Sequence, residues 1–341
     1  MKICQVIASS GVGGLERHVI DLSEELAIKH DVTLIAPADM RIAISSSVNF
    51  IAVDFDRSRY NPFLYNDLLR IFRQGGFDII HAQANKAVYM VSKMKKVLNA
   101  KLIGTLHNTR KNKGKPFKNL DHAIAVSQEA ALLINPKCPT SVIYNGIKAN
   151  QALKTIGLTK KDLMTAYKLT GDKVMLCSIG RLVDAKGFGL LIDAMQDLDV
   201  HLLIIGDGEL MPKLKQQIKR LKLDDKVVLT GYRPDVMAVL KAVDGMVISS
   251  INEGFSYVFV EALRSKVPII STDVSAKEFL PNSLIMRKES ASIHQKIKKY
   301  GFNIQDWQRE MAGVYERADK ELTLDYMANQ TSAIYRQVLQ P

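Results

Sequence analysis

Short apolar runs alternate with longer amphipathic stretches along nearly the whole chain, in two successive rounds. In the first round the strand-like runs are Lys2–Ala8, Asp31–Pro37, Asp78–Gln83, Lys101–His107, His122–Ser127 and Ser141–Ile147. Helical periodicity falls between several of them, at Leu15–Lys29, Pro62–Gln74 and Lys86–Leu98. Residues Lys148–Asp172, rich in Lys and Thr, carry no strand signal and read as a connection. The rhythm then restarts with strand-like Val174–Gly180, His201–Gly206, Lys226–Gly231, Gly245–Ser250 and Val267–Thr272. Gly187–Gln196, Glu209–Leu221, Asp235–Ala242 and Ser256–Ser265 are the intervening helices, and the chain is helical from about Ser290 onward. Apolar strands separated by helices form parallel sheets covered on both faces. The expected fold is α/β, with two doubly wound, Rossmann-like domains of similar size at 1–150 and 170–320 facing a central cleft. Ligands of such sheets bind beyond the carboxyl ends of the strands, so that cleft is the expected site.

Composition narrows the function classes. With 341 residues, 47% hydrophobic and 24% charged, the chain has an ordinary globular balance, which excludes disordered, collagenous and disulfide-scaffold classes. No apolar run approaches the roughly 20 residues of a membrane-spanning helix, and the start, MKICQVIASSGVGG, does not read as a signal peptide. Cys4, Cys138 and Cys177 form no C-x-x-C pair, which fits reduced thiols; Cys4 and Cys177 lie in strand runs and are expected in the core, not on a metal. The net charge of +12 argues for an anionic partner or surface. Between Asp78 and Asp121 there is no acid, while Lys86, Lys93, Lys95, Lys96, Lys101, Arg110, Lys111, Lys113, Lys115 and Lys118 all fall there. A solvated face is one reading of that run; an anionic acceptor or an anionic membrane surface is the other.

Several motifs sit at strand ends, where chemistry is expected. The first strand runs into Ser9-Ser10-Gly11-Val12-Gly13-Gly14-Leu15-Glu16 and then a helix. Glycines let the backbone approach a ligand, and a helix N-terminus offers N–H groups to phosphate. A tight turn without ligand is equally open from this segment alone. It is not the dinucleotide fingerprint, because G-x-G-x-x-G requires glycine where Glu16 stands, and the second strand ends in Ala36-Pro37-Ala38 without the ribose-binding acid. Gly180-Arg181-Leu182-Val183-Asp184-Ala185-Lys186-Gly187 places two cations beyond another strand, where Arg181 and Lys186 suit a diphosphate. Gly206-Asp207-Gly208 and Gly231-Tyr232-Arg233-Pro234 occupy equivalent strand ends and suit backbone contacts to a ring or ribose. In Glu253-Gly254-Phe255-Ser256-Tyr257-Val258-Phe259-Val260-Glu261, Glu261 falls inside an apolar helix, where a carboxylate must be paired or hydrogen-bonded, and vicinal ribose hydroxyls are suitable donors. Glu253 sits in the loop before it, beside the backbone N–H groups of Gly254, Phe255 and Ser256.

Taken in order, these motifs resemble glycosyltransferase family four, of the GT-B fold, over nearly the full length. The resemblance also rests on Thr105-Leu106-His107-Asn108, Ala125-Val126-Ser127 and Asn145-Gly146. It implies retaining transfer of a hexose or N-acetylhexosamine from a nucleotide sugar, UDP-linked by the family's habit. It further implies that Arg181, Lys186 and Gly180 hold the donor diphosphate, with Gly206, Gly208, Tyr232 and Arg233 lining the nucleotide. Glu261 would take the ribose and Glu253 the donor-sugar hydroxyls. Gly13 and Gly14 would face the diphosphate from the other domain, and His107 would stand beside the transferred sugar near its C6 hydroxyl. No metal or other cofactor is expected, since two cations and helix N-termini stabilise the leaving diphosphate. Asp54-Phe55-Asp56 and Asp197-Leu198-Asp199 lie outside any nucleotide context. The last helix, about 324–341, is expected to return to the first domain.

Two departures from the family pattern stand out. Asp273-Val274-Ser275 replaces the glycines that many relatives carry, and Arg264-Ser265-Lys266 adds charge after the Glu261 helix. Arg110, Lys111, Lys113, Lys115 and Lys118 follow His107 directly and are expected to recognise an anionic, lipid-linked saccharide such as a lipopolysaccharide core. That places the enzyme in the cytoplasm, peripherally on the inner face of the membrane, with no nucleic acid partner. Rival readings are another sugar-nucleotide enzyme, an epimerase or hydrolase that needs no acceptor, and a non-catalytic binder of nucleic acid or anionic surfaces. The 7% aromatic content and absence of any nucleic-acid motif weigh against the last.

Overall fold

Seven strands of the first sheet are parallel and run in the order β3-β2-β1-β4-β5-β6-β7 in the computed structural model, which describes residues 1–11, 13–109, 114–148 and 157–340. They are β1 (Lys2–Ile7), β2 (Asp31–Ala36), β3 (Asn49–Ala52), β4 (Ile79–Gln83), β5 (Lys101–Leu106), β6 (His122–Ala125) and β7 (Thr140–Val142). Helices α1 (Gly14–Ala27), α2 (Pro62–Gly75), α3 (Ala84–Lys93) and α4 (Gln128–Ala131) connect them. The start of α2 is written locally: Asn61 accepts from the backbone N–H groups of Phe63 and Leu64, and Pro62 fills the first turn, where no donor is needed.

The alternation along β1 sorts the two faces of this sheet. Cys4 and Val6 join the core with Leu68, Phe72, Val88 and Met90, beneath α2 and α3. Ile3 and Ile7 join the opposite core with Val19, Leu22 and Leu26 of α1. That second core is completed by the last helix, α12 (Leu324–Leu339), whose Leu324, Met327, Ala328 and Tyr335 recur at helical spacing. Met327 and Tyr335 are fully buried there. The return is built by packing: Met1–Gly146 with Thr323–Pro341 form one unit, and Ile147–Leu322 form the other.

The second unit repeats the plan with the parallel order β10-β9-β8-β11-β12-β13. Its strands are β8 (Val174–Ile179), β9 (Val200–Ile205), β10 (Val227–Gly231), β11 (Gly245–Ile248), β12 (Ile269–Thr272) and β13 (Ile285–Met286). Helices α5 (Lys160–Ala166), α6 (Phe188–Ala194), α7 (Met211–Arg220), α8 (Val236–Ala242), α9 (Tyr257–Arg264), α10 (Ser290–Gly301) and α11 (Ile304–Glu321) surround the sheet. Trp307 of α11 is fully buried. No helix among the described residues is long and apolar enough to cross a membrane.

Differences from the sequence reading have local causes. β3 and β13 carry too few residues to show a period, so only pairing with β2 and β12 defines them. β7 ends at Val142, short of Ile147, which frees Asn145 to meet His18 of α1. The stretch read as a connection contains α5, started by a capping box between Thr159 and Asp162. All three cysteines are buried.

Candidate active site

β8 and β11 are neighbours in the second sheet, but the chain leaves them in opposite directions, β8 toward β9 and β11 toward β12. Loops that diverge at such a switch point leave a crevice beyond the strand ends. The sequence supplies charge to both of its lips. The loop after β8 ends with Lys186, and the loop after β11 carries Glu253; the two side chains form an ion pair. Ser250 Oγ donates to Glu253 Oε2 at 2.8 Å, and Ser249 Oγ donates to the Lys186 carbonyl at 2.9 Å. The lips are also joined by the Ile251 amide, which donates to the Ala185 carbonyl at 2.8 Å. Gly187 permits this approach. It has φ +64°, and a Cβ there would stand 2.1 Å from the Ser249 carbonyl oxygen.

Arg181 differs from Lys186. Its side chain is exposed and makes no hydrogen bond or ion pair with any described residue. Gly180, Gly206 and Gly208 close the adjoining turns, which are stitched by Leu182 N–H to the Asp207 carbonyl at 2.9 Å and Gly206 N–H to the Gly231 carbonyl at 2.9 Å. A Cβ on Gly206 would lie 2.0 Å from the Gly180 carbonyl oxygen, so glycine is required by backbone crossing alone. Tyr232 is exposed. The Arg233 guanidinium is held in a fork by Asp235, at 2.9 and 2.5 Å, and by the Tyr167 hydroxyl at 2.8 Å. That pairing raises Arg233 above its ordinary range and satisfies its charge internally.

Glu261 is buried in α9, and Gly254 and Ser256 lie in the loop leading to it. The ring of Phe255 packs edge-on to Phe259, centroids 5.6 Å apart, and beside Phe279, so only its backbone remains for a ligand. The charge after α9 is partly offset within the unit, because Arg264 and Lys266 both pair with Asp319 of α11. Val274 and Ser275, which stand in place of glycines, are buried.

In the first unit, Gly13 caps α1 and Gly14 opens it, and both are exposed. Glu16 in the first helical turn accepts from Ser9 Oγ at 2.7 Å, which fastens the loop. His107 follows β5; its Nε2 lies 2.8 Å from Gln83 Oε1, and its ring meets His18 edge-on with centroids 4.6 Å apart. Burial, and next the neighbouring His18 and His81 imidazoles, push His107 well below the ordinary histidine range. Burial lowers His18 to about 4 and His81 to about 3. Lys115 and Lys118 are exposed on a short 3₁₀ turn anchored by the buried Phe117. Arg110, Lys111 and Lys113 lie outside the described residues. The basic run is partly engaged internally: Lys86 donates to the Phe55 and Arg57 carbonyls, and Lys95 pairs with Asp121.

Residues 12–151 match the family described as Glycosyltransferase Family 4, and residues 159–278 match the one described as Glycosyl transferases group 1. The chain belongs to glycosyltransferase family 4. It is similar to the O-antigen biosynthesis glycosyltransferase WclY of Escherichia coli, at 21% identity over 80% of each chain. It is also similar to a Campylobacter jejuni enzyme, N-acetylgalactosamine-N,N'-diacetylbacillosaminyl-diphospho-undecaprenol 4-alpha-N-acetylgalactosaminyltransferase, at 27% identity over 80% of each. Among solved structures, Anabaena HepE in complex with UDP-glucose superposes with a TM-score of 0.84 over 99% of this chain and 100% of that one, at 20% identity. That likeness shows the GT-B fold of this family-4 glycosyltransferase.

Sequence reasoning passed over several polar residues that the glycosyltransferase places at or behind these sites. Ser250 orients Glu253, and Gln83 bonds His107. Gln5, His81 and Gln83 each interrupt an otherwise apolar strand, and that interruption was the available signal.

Proposed function

We propose that this enzyme transfers a hexose or N-acetylhexosamine from a UDP-sugar to an anionic, lipid-linked saccharide, with retention at the anomeric carbon and without a metal. The observation that carries the reading is the Lys186–Glu253 ion pair at the β8/β11 switch point, with exposed Arg181, unpaired among the described residues, on the same loop after β8 and Glu261 buried in the helix that follows. In this mechanism Arg181 binds the leaving diphosphate in a charge-assisted fork and Lys186 acts on it as a point charge. Glu261 accepts from the ribose hydroxyls and Glu253 from hydroxyls of the donor sugar. The acceptor hydroxyl oxygen bonds to the anomeric carbon on the face the diphosphate leaves, as the bond from that carbon to phosphate oxygen breaks. The acceptor's proton passes to the departing phosphate oxygen. Negative charge grows on the diphosphate while the sugar becomes oxocarbenium-like, so fixed cations favour the transition state over the ground state. His107 stands by the sugar.

The acceptor assignment rests on the basic segment after His107, including exposed Lys115 and Lys118, and on relatives named for O-antigen and undecaprenol-linked glycan synthesis. The same segment favours peripheral contact with anionic lipid on the cytoplasmic face.

Calorimetric titration of UDP, GDP and ADP with EDTA present tests the donor half. Tight binding of one diphosphate, weakened by Glu261→Ala, supports it; binding of none overturns it. Product NMR then reads the anomeric configuration, and donor turnover without any acceptor would favour a hydrolase. Replacing Lys115 and Lys118 together by Glu tests the acceptor half. The expected result is at least tenfold weaker transfer to an anionic glycolipid, with nucleotide affinity unchanged.

A further inference from the structure

His107 is the end of a string of buried polar groups that crosses the first sheet from the last helix. Period-two alternation places Gln5 of β1, His81 and Gln83 of β4 and Thr105 of β5 on the face covered by α1 and α12. Tyr335 reaches them from α12. Its hydroxyl lies 2.6 Å from His81 Nδ1 and accepts from Gln5 Nε2 at 2.9 Å. Gln83 Nε2 donates to Gln5 Oε1 at 3.0 Å, Gln83 Oε1 faces His107 Nε2 at 2.8 Å, and His81 Nε2 faces Thr105 Oγ1 at 2.7 Å. Gln5, His81 and Gln83 have no exposed surface. An unmade bond anywhere along the string would therefore leave a buried polar group unsatisfied.

The direction of every bond in this string is linked to the next. An amide has one donor end and one acceptor end. With its nitrogen committed to Gln5, Gln83 offers His107 only a carbonyl oxygen. We infer that Gln5 and Gln83 are positioning residues that select the Nε2-protonated tautomer of His107, kept uncharged by its burial, leaving the Nδ1 lone pair to accept from a substrate hydroxyl. His81 lies beside the string, its Nδ1 facing the Tyr335 hydroxyl and its Nε2 facing both Thr105 Oγ1 and, at 3.4 Å, Gln83 Nε2. Reversing the tautomer of His107 would require turning both amides together. The inference deepens the reading that His107 stands beside the transferred sugar and rests on it. An uncharged acceptor there holds a sugar hydroxyl without adding positive charge beside an oxocarbenium-like carbon.

The titratable groups facing His107 are His18 from α1 and His81 from β4. Burial lowers both, and Glu16, two residues before His18, is turned to Ser9. Asn145 holds His18 Nδ1 at 3.0 Å from the far side. Among the described residues His107 Nδ1 has no hydrogen-bond partner.

Two-bond ¹H–¹⁵N correlation spectra of the full-length, ¹⁵N-histidine-labelled protein read the tautomer directly, with His107→Gln assigning the signals. The expected result is a neutral, Nε2-protonated His107 throughout pH 5.5–8. In Gln83→Glu the carboxylate favours the imidazolium, so the His107 titration should rise by at least one pH unit. Transfer by that variant should become pH-dependent with kcat lower by about tenfold, while the Kd for UDP stays within twofold. Gln83→Met and Tyr335→Phe keep the shape of the string, and each should yield mixed tautomers even if Gln83→Glu does not fold. An Nδ1-protonated His107, a titration near the ordinary 6.5, or spectra unmoved by these variants would overturn the inference. The expected tautomer in a protein that binds no nucleoside diphosphate would leave it standing and overturn the proposed function instead.

Discussion

Lys186 and Glu253, 67 residues apart in the chain, meet as an ion pair across the carboxyl ends of β8 and β11. Both are partly buried, and Ser250 holds the second carboxylate oxygen. A donor diphosphate would compete with Glu253 for the lysine, and the donor sugar would offer Glu253 hydroxyl groups in exchange. Glu253→Gln separates these roles. UDP affinity should stay within about threefold or tighten as Lys186 is released, while kcat for transfer falls on the order of 10²-fold. Calorimetry and turnover on the same preparation check it; equal losses in both would mean that the pair acts as one structural unit.

Arg181 should behave in the opposite way. It is exposed and unpaired among the described residues, so Arg181→Ala should leave unfolding free energy within about 0.5 kcal/mol. Removing a charge-assisted fork to phosphate costs about 1.5–3 kcal/mol, at least tenfold in UDP affinity. A variant that binds UDP as tightly as the parent would place the diphosphate elsewhere.

Acid should weaken the fold through its buried histidines. His18 and His81 are lowered to about 4 and about 3, from an ordinary value of 6.5. Below pH 6.5 the unfolded chain takes up protons that the folded chain refuses. Their stabilisation is therefore complete above pH 6.5 and is lost as the pH falls toward 4. Between pH 7 and 5 the expected loss is about 2 kcal/mol for each histidine. Urea midpoints at pH 7 and pH 5 measure it; equal midpoints would show that neither histidine is held neutral.

Truncation tests the returning helix. A chain ending at Leu324 loses Met327 and Tyr335 from the core of the first unit, each burial contributing about 1.5–3 kcal/mol. It also strips Gln5 and His81 of the Tyr335 hydroxyl. The expected outcome is a first unit unfolded at urea concentrations the full chain withstands, read by proteolysis of residues 1–146. Unchanged protection would show that α12 contributes little.

Much of this was legible along the chain. The alternation of strand and helix, the restart near Val174, the placement of Arg181, Lys186 and Glu253 just beyond strand ends and that of Glu261 inside the following helix all follow from local pattern, because apolar period and turn chemistry are local properties. The short β3 and β13 were not legible, since four and two residues display no period. Nor was the fate of individual charges. Arg233 reads like Arg181 in sequence, yet Asp235 and Tyr167 satisfy it while Arg181 stands free among the described residues. Lys95 reads as part of an uncompensated basic run, yet Asp121 lies against it. The polar string from Tyr335 to His107 draws on four strands and helices separated by up to 330 residues. The sequence by itself determined which side chains carry charge and roughly which strand end each occupies. Only the tertiary structure decided which of them are already paired, because pairing depends on through-space distances that the packing of α12 and the sheet registers set.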